Sequence, residues 1–426
     1  MTAFAGLRGT GDWAADQRPK NFREFILMRQ PNGMAPMFAL TAKVGKESTD
    51  DPEFSWWDEA VDLVRLQVNK SGNYGTTDTL ITIDSTDPSA ANPHLYYGSA
   101  LNLVPGDVLM VEPASDSATF NHEHLLVTEV HSATQFTVKR GYAGTTAAAI
   151  VDNAYLLKIG SSFGEGTAAP TSASRNPSKF YNYTQIFKTT YEITGTAEQT
   201  KTRTGDEVAN DKRRKMHDHS RDLELAFLFG QRSETVGANG KPLRTMGGWR
   251  SQVSSQNVTI LAANWSIANP ASAGNSFIDA VSKVFDYESP AGDERIIFAG
   301  NNALNRLNAA IHKASGVGAT TINFEGGASV YGMNFQRFVL PQGTVYIKTH
   351  PLLNRHSIYK NSMFIMDFSS IKYRPMKGRD TKSTDNIQAK EEDVRRGMWM
   401  TEAGLEVTRG GLTQGYIGGF DAAIAS

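Results

Sequence analysis

Two glycine-rich segments have the spacing of known catalytic or cofactor-binding loops. Residues 160–164, GSSFG, match the G-x-S-x-G pattern in which a serine hydrolase presents its nucleophile on a sharp turn. That turn must lead into a helix, and the following EGTAAPTSASRNP does not predict one, so we interpret the match as a flexible connection. Residues 9–14, GTGDWA, match the dinucleotide pattern G-x-G-x-x-A, but no strand precedes them and no βαβ unit surrounds them. Neither match predicts an enzyme.

Three histidines lie near one another in sequence and could supply imidazole ligands to zinc. His122 and His124 would face the same side of a strand, and His131 follows nearby. The chain has no cysteine, and the histidines do not have the spacing of a reliable zinc-binding motif. We interpret them as scattered surface histidines, and we predict no metal site and no cofactor.

A basic run, Lys212 to Lys215, lies within the longest predicted helix and could contact phosphate groups. Acidic residues are about as frequent as basic ones along this helix, and Asp211–Lys215 and Arg214–Asp218 have the i,i+4 spacing of ion pairs. We therefore predict a solvated helix face, with weak and non-specific nucleic-acid contact as the alternative.

The composition is that of a large folded protein and excludes several functional classes. The chain has 426 residues, 40% of them hydrophobic, and 43 basic residues balance 44 acidic ones. This balance excludes a strongly basic nucleic-acid binder. The absence of cysteine excludes disulfide scaffolds, iron–sulfur clusters and cysteine nucleophiles. Because the N-terminus lacks a signal-peptide pattern and no run of about 20 apolar residues occurs, we expect no membrane association.

The N-terminal half is predicted to contain extended elements that the chain's own core does not bury. Residues 1–50 are punctuated by Gly and Pro and carry little apolar content, which predicts an arm that docks on another surface. The aromatic and β-branched run 54–68 favours a strand over a helix. A second run, 180–194, places aromatic residues at period two. We expect these runs to form a long hairpin.

A block of short strands separates the two hairpin runs. The turns at 105–107 and 140–144 divide it into segments of alternating or continuous apolar character. Several short strands at this spacing predict a small all-β sandwich or barrel inserted into the hairpin. The predicted strands are 79–84, 107–112, 125–130, 135–140 and 154–159.

The longest helix is predicted at 205–229. Thr204 and Glu207 have the spacing of a capping box, in which the two side chains satisfy N–H groups of the first turn. Gly230 is expected to end the helix in a left-handed turn. Met216 lies mid-helix on a narrow apolar stripe, and the remaining surface is strongly charged. The pattern indicates a long helix that lies along a surface.

Beyond residue 240, helices alternate with strands. Two amphipathic helices are predicted, at 275–288 and from Asn301 onward, with a buried strand at 294–299 between them. Residues 376–396 are highly charged and are predicted to form a solvated loop, followed by a last extended stretch, LEVTRGG. Further strands are predicted at about 330–340, 344–349, 356–359 and 363–368.

Several of these segments together resemble the major capsid proteins of one group of tailed phages, typified by coliphage SU-ten. The resemblance covers about residues 33–412 and rests on the number and order of structural motifs. The motifs before and after the insertion are APMFAL, GKE, DPEF, Trp56-Trp57, NYTQIF and YEITGTAEQT. Those within it are GDVLMVE, LLVTEV, FTVKRGYAGTT and KIGSSFGEG.

The resemblance implies an α+β fold of the Hong Kong 97 capsid type. It implies an N-terminal arm at 1–50 and an extended-loop hairpin at 51–75 and 160–200, which contains Trp56 and Trp57. An all-β insertion domain would occupy 76–159. A peripheral domain would comprise 201–240 and 400–426, with a spine helix at 205–229 that contains Glu207 and Met216 and is flanked by Thr204 and Gly230. An axial domain would comprise 241–399.

The implied function is that of a major capsid protein and not of an enzyme. Such a chain would form hexamers and pentamers of an icosahedral head around double-stranded DNA, with non-specific DNA contact. A scaffolding protein and a portal would take part in assembly in the host cytoplasm. The sequence does not decide whether a decoration protein also binds. One alternative is an encapsulin-like compartment shell: a neighbouring cargo enzyme gene would favour it, whereas neighbouring tail or portal genes would favour a virus. The other is a glycan-binding adhesin or enzyme, which would need paired carboxylates in a pocket.

Overall fold

The computed structural model describes residue 37 and residues 45–59, 65–84, 99–112, 122–170, 176–202, 205–267, 276–315, 324–330 and 333–423. The strands of the N-terminal half are β1 (Glu53–Asp58), β2 (Arg65–Gln67), β3 (Leu80–Thr82), β4 (Asp107–Val111), β5 (His124–Val130), β6 (Gln135–Tyr142), β7 (Tyr155–Ser161), β8 (Ser178–Tyr183) and β9 (Gln185–Thr194). Those that follow are β10 (Ser233–Val236), β11 (Pro242–Thr245), β12 (Val258–Ile260), β13 (Glu294–Ala299), β14 (Phe324–Val330), β15 (Met333–Leu340), β16 (Gly343–Thr349), β17 (Met363–Met366), β18 (Ile371–Pro375), β19 (Lys382–Thr384), β20 (Val394–Val407) and β21 (Gly415–Gly418).

Five α-helices and several single-turn 3₁₀ helices connect the strands in the part of the chain that the structure describes. The α-helices are α1 (Gly195–Gln199), α2 (Glu207–Phe229), α3 (Trp249–Gln252), α4 (Phe277–Ser282) and α5 (Asn301–Ser315). The 3₁₀ turns are Ala100–Asn102, Ser255–Asn257, Lys283–Phe285, Leu353–Arg355, Tyr359–Asn361, Phe368–Ser370 and Arg409–Gly411. The mixture of segregated strands and helices gives an α+β fold, as the resemblance implied.

Six antiparallel strands form a small closed barrel in the order β2-β7-β4-β5-β6-β3. A bridge between Val68 and Ile83 joins the two end strands, so no strand of the sheet is left with an unpaired edge along its whole length. The interior is a separate apolar cluster that includes Leu109, Leu125 and Phe136. The five predicted strands are all present, and the sheet also takes in β2, which lies before the expected boundary at residue 76.

The hairpin is an antiparallel pair of β1 and β8, and we use this name for these two strands only. The predicted run 180–194 is not one strand, because Thr184 divides it into β8 and β9. The Thr184 N–H donates to the carbonyl of Pro52, and its hydroxyl donates to Glu402, so the chain changes partners here. As a result β9 leaves the hairpin and pairs with β20 over its full length.

A four-stranded sheet lies beside the long helix α2. The 14-residue strand β20 is its centre, with β9 along one side and β18 and β19 along the other. Residues 46–49 extend the sheet beyond β18 through parallel bridges to Tyr373 and Met376, so the described end of the arm docks on its own chain. The segment 376–396, predicted to be a loop, contributes β19 and the start of β20 to this sheet.

The second large sheet has seven strands in the order β12-β21-β17-β13-β16-β15-β14. Its central strand β13 is buried on both faces, as a near-continuous apolar run predicts. Ile296 and Phe298 join the core beneath α2, whereas Ile297 and Ala299 join the core beneath α4 and α5. We call α2, these two sheets and the helices and turns that connect them the body of the subunit.

Several predicted boundaries differ from this arrangement. The region 241–399 was expected to form one domain, but β18, β19 and the start of β20 belong to the four-stranded sheet. Conversely, β21 was expected in the other domain, within 400–426, and lies inside the seven-stranded sheet. The strand expected at 356–359 is absent there, since Tyr359 begins a 3₁₀ turn. Pairing between distant strands, which local pattern does not encode, decides these assignments.

Both ends of α2 differ from the prediction. The N-cap is Asp206 and not Thr204, because the Asp206 carboxylate accepts the N–H groups of Val208 and Ala209 at 2.9 and 3.3 Å. Glu207 is therefore the first helical residue, and Thr204 lies outside the described residues. Gly230 does end the helix, but in an extended conformation with φ −52°. A glycine is needed because a Cβ would lie 2.6 Å from the carbonyls of Ala226 and Met246.

Candidate assembly surface

The two faces of the hairpin differ in what they contact. Strand alternation and the pairing register place Phe54, Trp56 and Asp58 of β1 on one face, opposite Asn182, Phe180 and Ser178 of β8. This inward face is buried or half-buried against the body. Trp57 and Tyr181 lie on the other face, and they are 63% and 36% exposed.

The exposed side of the hairpin is aromatic, and we call Trp57, Tyr181 and Tyr183 the outward aromatic face. The rings of Tyr181 and Tyr183 meet edge to face at 5.8 Å. The Arg232 guanidinium lies 3.8 Å from the Tyr181 ring centre and donates to the Tyr181 carbonyl at 2.5 Å, which fixes this part of the strand. A tryptophan as exposed as Trp57 on a two-stranded element is typical of a surface that another molecule covers.

The inward face is a stack of rings above a cleft. Phe54 stacks with Trp56 at 6.1 Å, and Trp56 stacks with Phe180 at 6.2 Å. A cleft of about 370 Å³ separates Trp56 and Phe180 from Gln252 and Val253 of the body. Trp56 and Trp57 were singled out together from the sequence, and the structure places them on opposite faces.

The base of the hairpin is fixed by the side chain of Asn182, which is buried. Its amide nitrogen donates to the carbonyls of Gly247 and Leu405 at 2.9 and 2.6 Å. Its amide oxygen accepts the N–H groups of Gly247 and Tyr183, each at 2.8 Å. Four hydrogen bonds satisfy the whole amide, so this end of β8 is held firmly to β20 and to the loop before α3.

The helix α2 is fixed to the four-stranded sheet by a buried histidine. One ring nitrogen of His219 lies 3.0 Å from the Thr189 hydroxyl of β9, and the other lies 2.8 Å from the Thr401 hydroxyl of β20. Burial lowers the pKa of His219 and so favours the neutral ring, and the negative charge of Asp222 only partly opposes this effect. Met216 is half-buried, one turn before His219 on the same helix.

A second buried polar contact joins α2 to the seven-stranded sheet and the arm. Glu224 is fully buried, and its carboxylate accepts from His350 at 2.7 Å and from the backbone N–H of Met37 at 2.9 Å. Neither His219 nor Glu224 was predicted from the sequence as a contact residue. A polar residue on the otherwise apolar stripe of α2 is the one signal that could have indicated them.

The charged segment after β18 is held at two aspartates. Asp380 accepts from Lys46 of the arm at 2.5 Å and from the Tyr373 hydroxyl at 2.7 Å, and these groups hold its pKa below the usual range although burial opposes them. Asp385 accepts from Lys212 of α2 at 2.8 Å and from the Tyr191 hydroxyl. Burial and this hydrogen bond raise the pKa of Tyr191 to about 12. The segment therefore connects the arm, α2 and the sheet.

The basic run on α2 is partly neutralised by carboxylates. Lys212 pairs with Asp385, and Arg214 lies 3.6 Å from Glu207 and 3.8 Å from Asp211. These are not the i,i+4 pairs expected from the sequence. Arg214 instead points back toward the first turns of α2, and Lys212 reaches the segment after β19. Arg213 is exposed to solvent.

The other sequence matches do not form a catalytic or metal site among the described residues. Ser162 follows β7, and its hydroxyl accepts from Tyr142 at 2.8 Å; no helix begins before residue 170. His131 contacts the Thr137 hydroxyl at 2.7 Å. Across the described ranges, no three His, Asp or Glu side chains cluster as metal ligands would. None of the described helices is both long and apolar enough to span a bilayer. Residues 9–14 lie outside the described ranges.

An exposed aromatic hairpin, fixed at its base to a well-packed body, is characteristic of a structural subunit that assembles with other chains. The chain belongs to the SU10 major capsid protein family, whose model matches residues 6–410. A curated relative, the major capsid protein of Pseudomonas phage PaMx41, is 26% identical over 390 residues, which are 90% of this chain and 84% of the relative.

Similar solved structures include phage and shell particles. The capsid asymmetric unit of cyanophage A-1(L) has a TM-score of 0.46 at 8% identity and covers 97% of this chain and 99% of its own. The capsid of a native GTA particle has a TM-score of 0.45 at 8% identity and covers 98% of both chains. The SrpI encapsulin of Synechococcus elongatus has a TM-score of 0.37 at 8% identity and covers 57% of this chain and 75% of its own. Because these TM-scores are below 0.5, we assign the family from the sequence match.

The family match confirms the prediction of a tailed-phage major capsid protein. The protein is therefore a structural component of the virion capsid, which favours a phage shell over an encapsulin-like compartment or an adhesin.

Proposed function

We propose that the outward aromatic face contacts a neighbouring subunit and that these contacts build the hexamers and pentamers of an icosahedral head. The observation that carries the proposal is the 63% exposure of Trp57 on a two-stranded hairpin. Two strands alone are marginally stable in water, and a neighbour that covered Trp57 would remove its apolar area from solvent. The hairpin then corresponds to the extended loop of a capsid subunit.

The body would supply the remaining capsid regions. We assign α2 and the four-stranded sheet to the peripheral region and the seven-stranded sheet to the axial region, which revises the predicted boundaries at 241–399 and 400–426. The barrel would project from the outer surface of the shell, because it has its own core and joins the body through the hairpin. A peptide tag in the barrel turn at 131–134 should then bind its antibody on intact shells.

We propose the partners by analogy with the family and from the charge of the chain. A scaffolding protein and a portal would direct assembly in the host cytoplasm, and a decoration protein would be a further partner of the outer surface. Double-stranded DNA inside the head would make non-specific contacts, for which the exposed Arg213 is a candidate. We assign no catalytic role, no cofactor and no metal to the chain.

The test is a set of single substitutions analysed by light scattering and negative-stain microscopy. Trp57→Ala should leave the thermal unfolding of the subunit nearly unchanged, because the side chain is exposed, but should reduce the yield of closed shells several-fold. Leu101→Ala, which removes a 59% exposed leucine of the barrel, is the matched control and should assemble normally. Normal shell yield from Trp57→Ala would contradict the proposed contact.

A further inference from the structure

Asp58, at the end of β1, binds a backbone turn of the body. Three successive residues, Arg409, Gly410 and Gly411, have left-handed φ angles of 60°, 54° and 68°. Successive N–H groups in such turns form concave sites for negatively charged groups. Here the Gly410 N–H donates to the Asp58 carboxylate at 2.7 Å, so the carboxylate is held by the backbone of the turn.

The turn is fixed to the body and cannot follow the hairpin. The Thr408 N–H and hydroxyl both donate to the carbonyl of Ser370, at 2.9 and 3.1 Å. The Arg409 guanidinium donates to the carbonyl of Glu288. Gly411 packs so closely that a Cβ would lie 2.1 Å from the Gln252 carbonyl. The turn therefore presents Gly410 at a defined place.

The contact lies at the far end of the hairpin from its other described anchors, which are Asn182 and the Arg232 guanidinium bound to the Tyr181 carbonyl. Asn182, opposite Phe54, holds the base, and Asp58 is four residues further along β1, about 13 Å at the usual rise per residue. Between them, Trp56 and Phe180 lie over the cleft of about 370 Å³. A strand pair held at its base and spanning a cleft can pivot unless its far end is also held.

We propose that Asp58 is a positioning residue for shell assembly: bound to Gly410, it sets the angle of the hairpin on the body and thereby the place of the outward aromatic face. Trp57 is its direct neighbour in β1, so a shift of Asp58 moves Trp57 with it. The inference rests on the proposed role of the hairpin as an assembly contact. The contact between Asp58 and Gly410 explains why β1, which has few core contacts, keeps one orientation on the body.

The test compares three variants of the full-length chain by hydrogen–deuterium exchange of the unassembled fraction and by microscopy of the shells. Asp58→Ala should speed exchange in β1 and β8 by about tenfold, the scale expected for a lost hydrogen bond to a charged group, and leave α2 unchanged. It should also give fewer or irregular shells. Asp58→Asn keeps an acceptor oxygen and should recover much of both properties. Glu59→Ala removes the neighbouring, exposed charge and should behave as the unmodified chain.

Two results would overturn the proposal. The first is exchange of β1 and β8 in Asp58→Ala that matches Glu59→Ala, because the contact would then not hold the hairpin. The second is fast exchange with normal shells, because the contact would then not position anything for assembly. Failure of the proposed assembly contact is seen separately: Trp57→Ala would assemble normally, whereas the exchange result for Asp58→Ala would still stand.

Discussion

The barrel and the hairpin are both built from antiparallel strands, but they differ in how their strand edges are paired and their apolar side chains are buried. The barrel closes through Val68 and Ile83 and buries its own apolar cluster, so its stability is internal. The hairpin has two strands, a cleft beneath it and Trp57 exposed above it. The difference indicates that substitutions in the barrel should change folding, whereas substitutions on the hairpin should change assembly.

Buried polar groups show the same contrast. In the barrel, the Glu123 carboxylate receives two hydrogen bonds from Arg140, at 2.7 and 2.8 Å, and both side chains are at most 5% exposed. It also accepts the N–H groups of Gly141 and Ala148. This network lies wholly within the barrel. The buried amide of Asn182 instead connects the hairpin to the body, so its contribution is to orientation between elements.

The largest effect is expected from Met216→Pro in α2. Proline removes a backbone hydrogen bond and clashes with the preceding turn, at a cost of about 3 kcal/mol or more. Since α2 packs on β9 and β20, the support of the hairpin is lost and no shells should form by microscopy. The barrel has its own apolar cluster and should survive as a protease-resistant fragment of about 65–161.

Met216→Ala is the matched control, because it keeps the helix and removes only a half-buried side chain. Normal shells from Met216→Pro would mean that α2 is not needed as a continuous helix. Loss of the protease-resistant fragment would mean that the barrel does not fold by itself.

A comparable loss of stability, confined to the barrel and therefore smaller in its effect on assembly, is expected from Glu123→Ala. Removal of one partner leaves Arg140 as a buried charge, and such changes destabilise by about 3–5 kcal/mol. Urea unfolding followed by a probe in the barrel should show this loss of stability. The midpoint of α2 unfolding, followed by circular dichroism, should not change. Glu112→Ala breaks the partly exposed pair with Arg65 and should cost about 1 kcal/mol or less. Equal losses from both variants would contradict the burial argument.

The pH dependence of the barrel should follow the same carboxylate. Burial raises the pKa of Glu123, but the hydrogen bonds from Arg140, Ala148 and Gly141 outweigh it and hold the pKa below the ordinary 4.5. The stability that Glu123 contributes is therefore fully present above about pH 4.5 and is lost as pH falls through the lowered pKa of the folded state. The barrel should become easier to unfold as the pH falls below about 4.5. Glu123→Gln should flatten this dependence, and an unchanged slope would contradict it.

The smallest effect is expected at the start of α2. Asp206→Ala removes the N-cap and should cost about 1 kcal/mol, seen as a lower midpoint of unfolding and a modest loss of shell yield. Thr204→Ala, at the position where the sequence pattern placed the cap, should cost less than Asp206→Ala. A larger cost for Thr204→Ala than for Asp206→Ala would instead support the capping box predicted from the sequence.

Local patterns were sufficient where an element's partners are near in sequence. The barrel strands were predicted from alternation and turn residues, because each of them pairs with strands of the same short block. The helix α2 was predicted from its apolar spacing, although its cap moved by two residues from Thr204 to Asp206. Both residue types are good caps, so sequence alone does not choose between them.

The rest depends on contacts between residues far apart in the chain. His219 bonds to Thr189 and Thr401, and no pattern within α2 specifies two hydroxyl groups from different strands. The break at Thr184 and the assignment of β18 to the four-stranded sheet arise in the same way, because β20 selects its partners from distant segments. Trp57 was noted from the sequence, but its exposure was not predictable, since alternation gives two faces without saying which is covered.

The chain leaves the hairpin for the barrel and returns from it on adjacent strands. Arg65 of β2 lies directly opposite Leu157 of β7, and neighbouring strands are about 5 Å apart. The barrel therefore places almost no demand on the spacing of the two hairpin strands. A domain with its two ends side by side can be deleted, enlarged or exchanged within the same gene while the shell-forming part is kept. For an engineer, this junction is the position at which a foreign folded domain could be displayed in many copies on one particle.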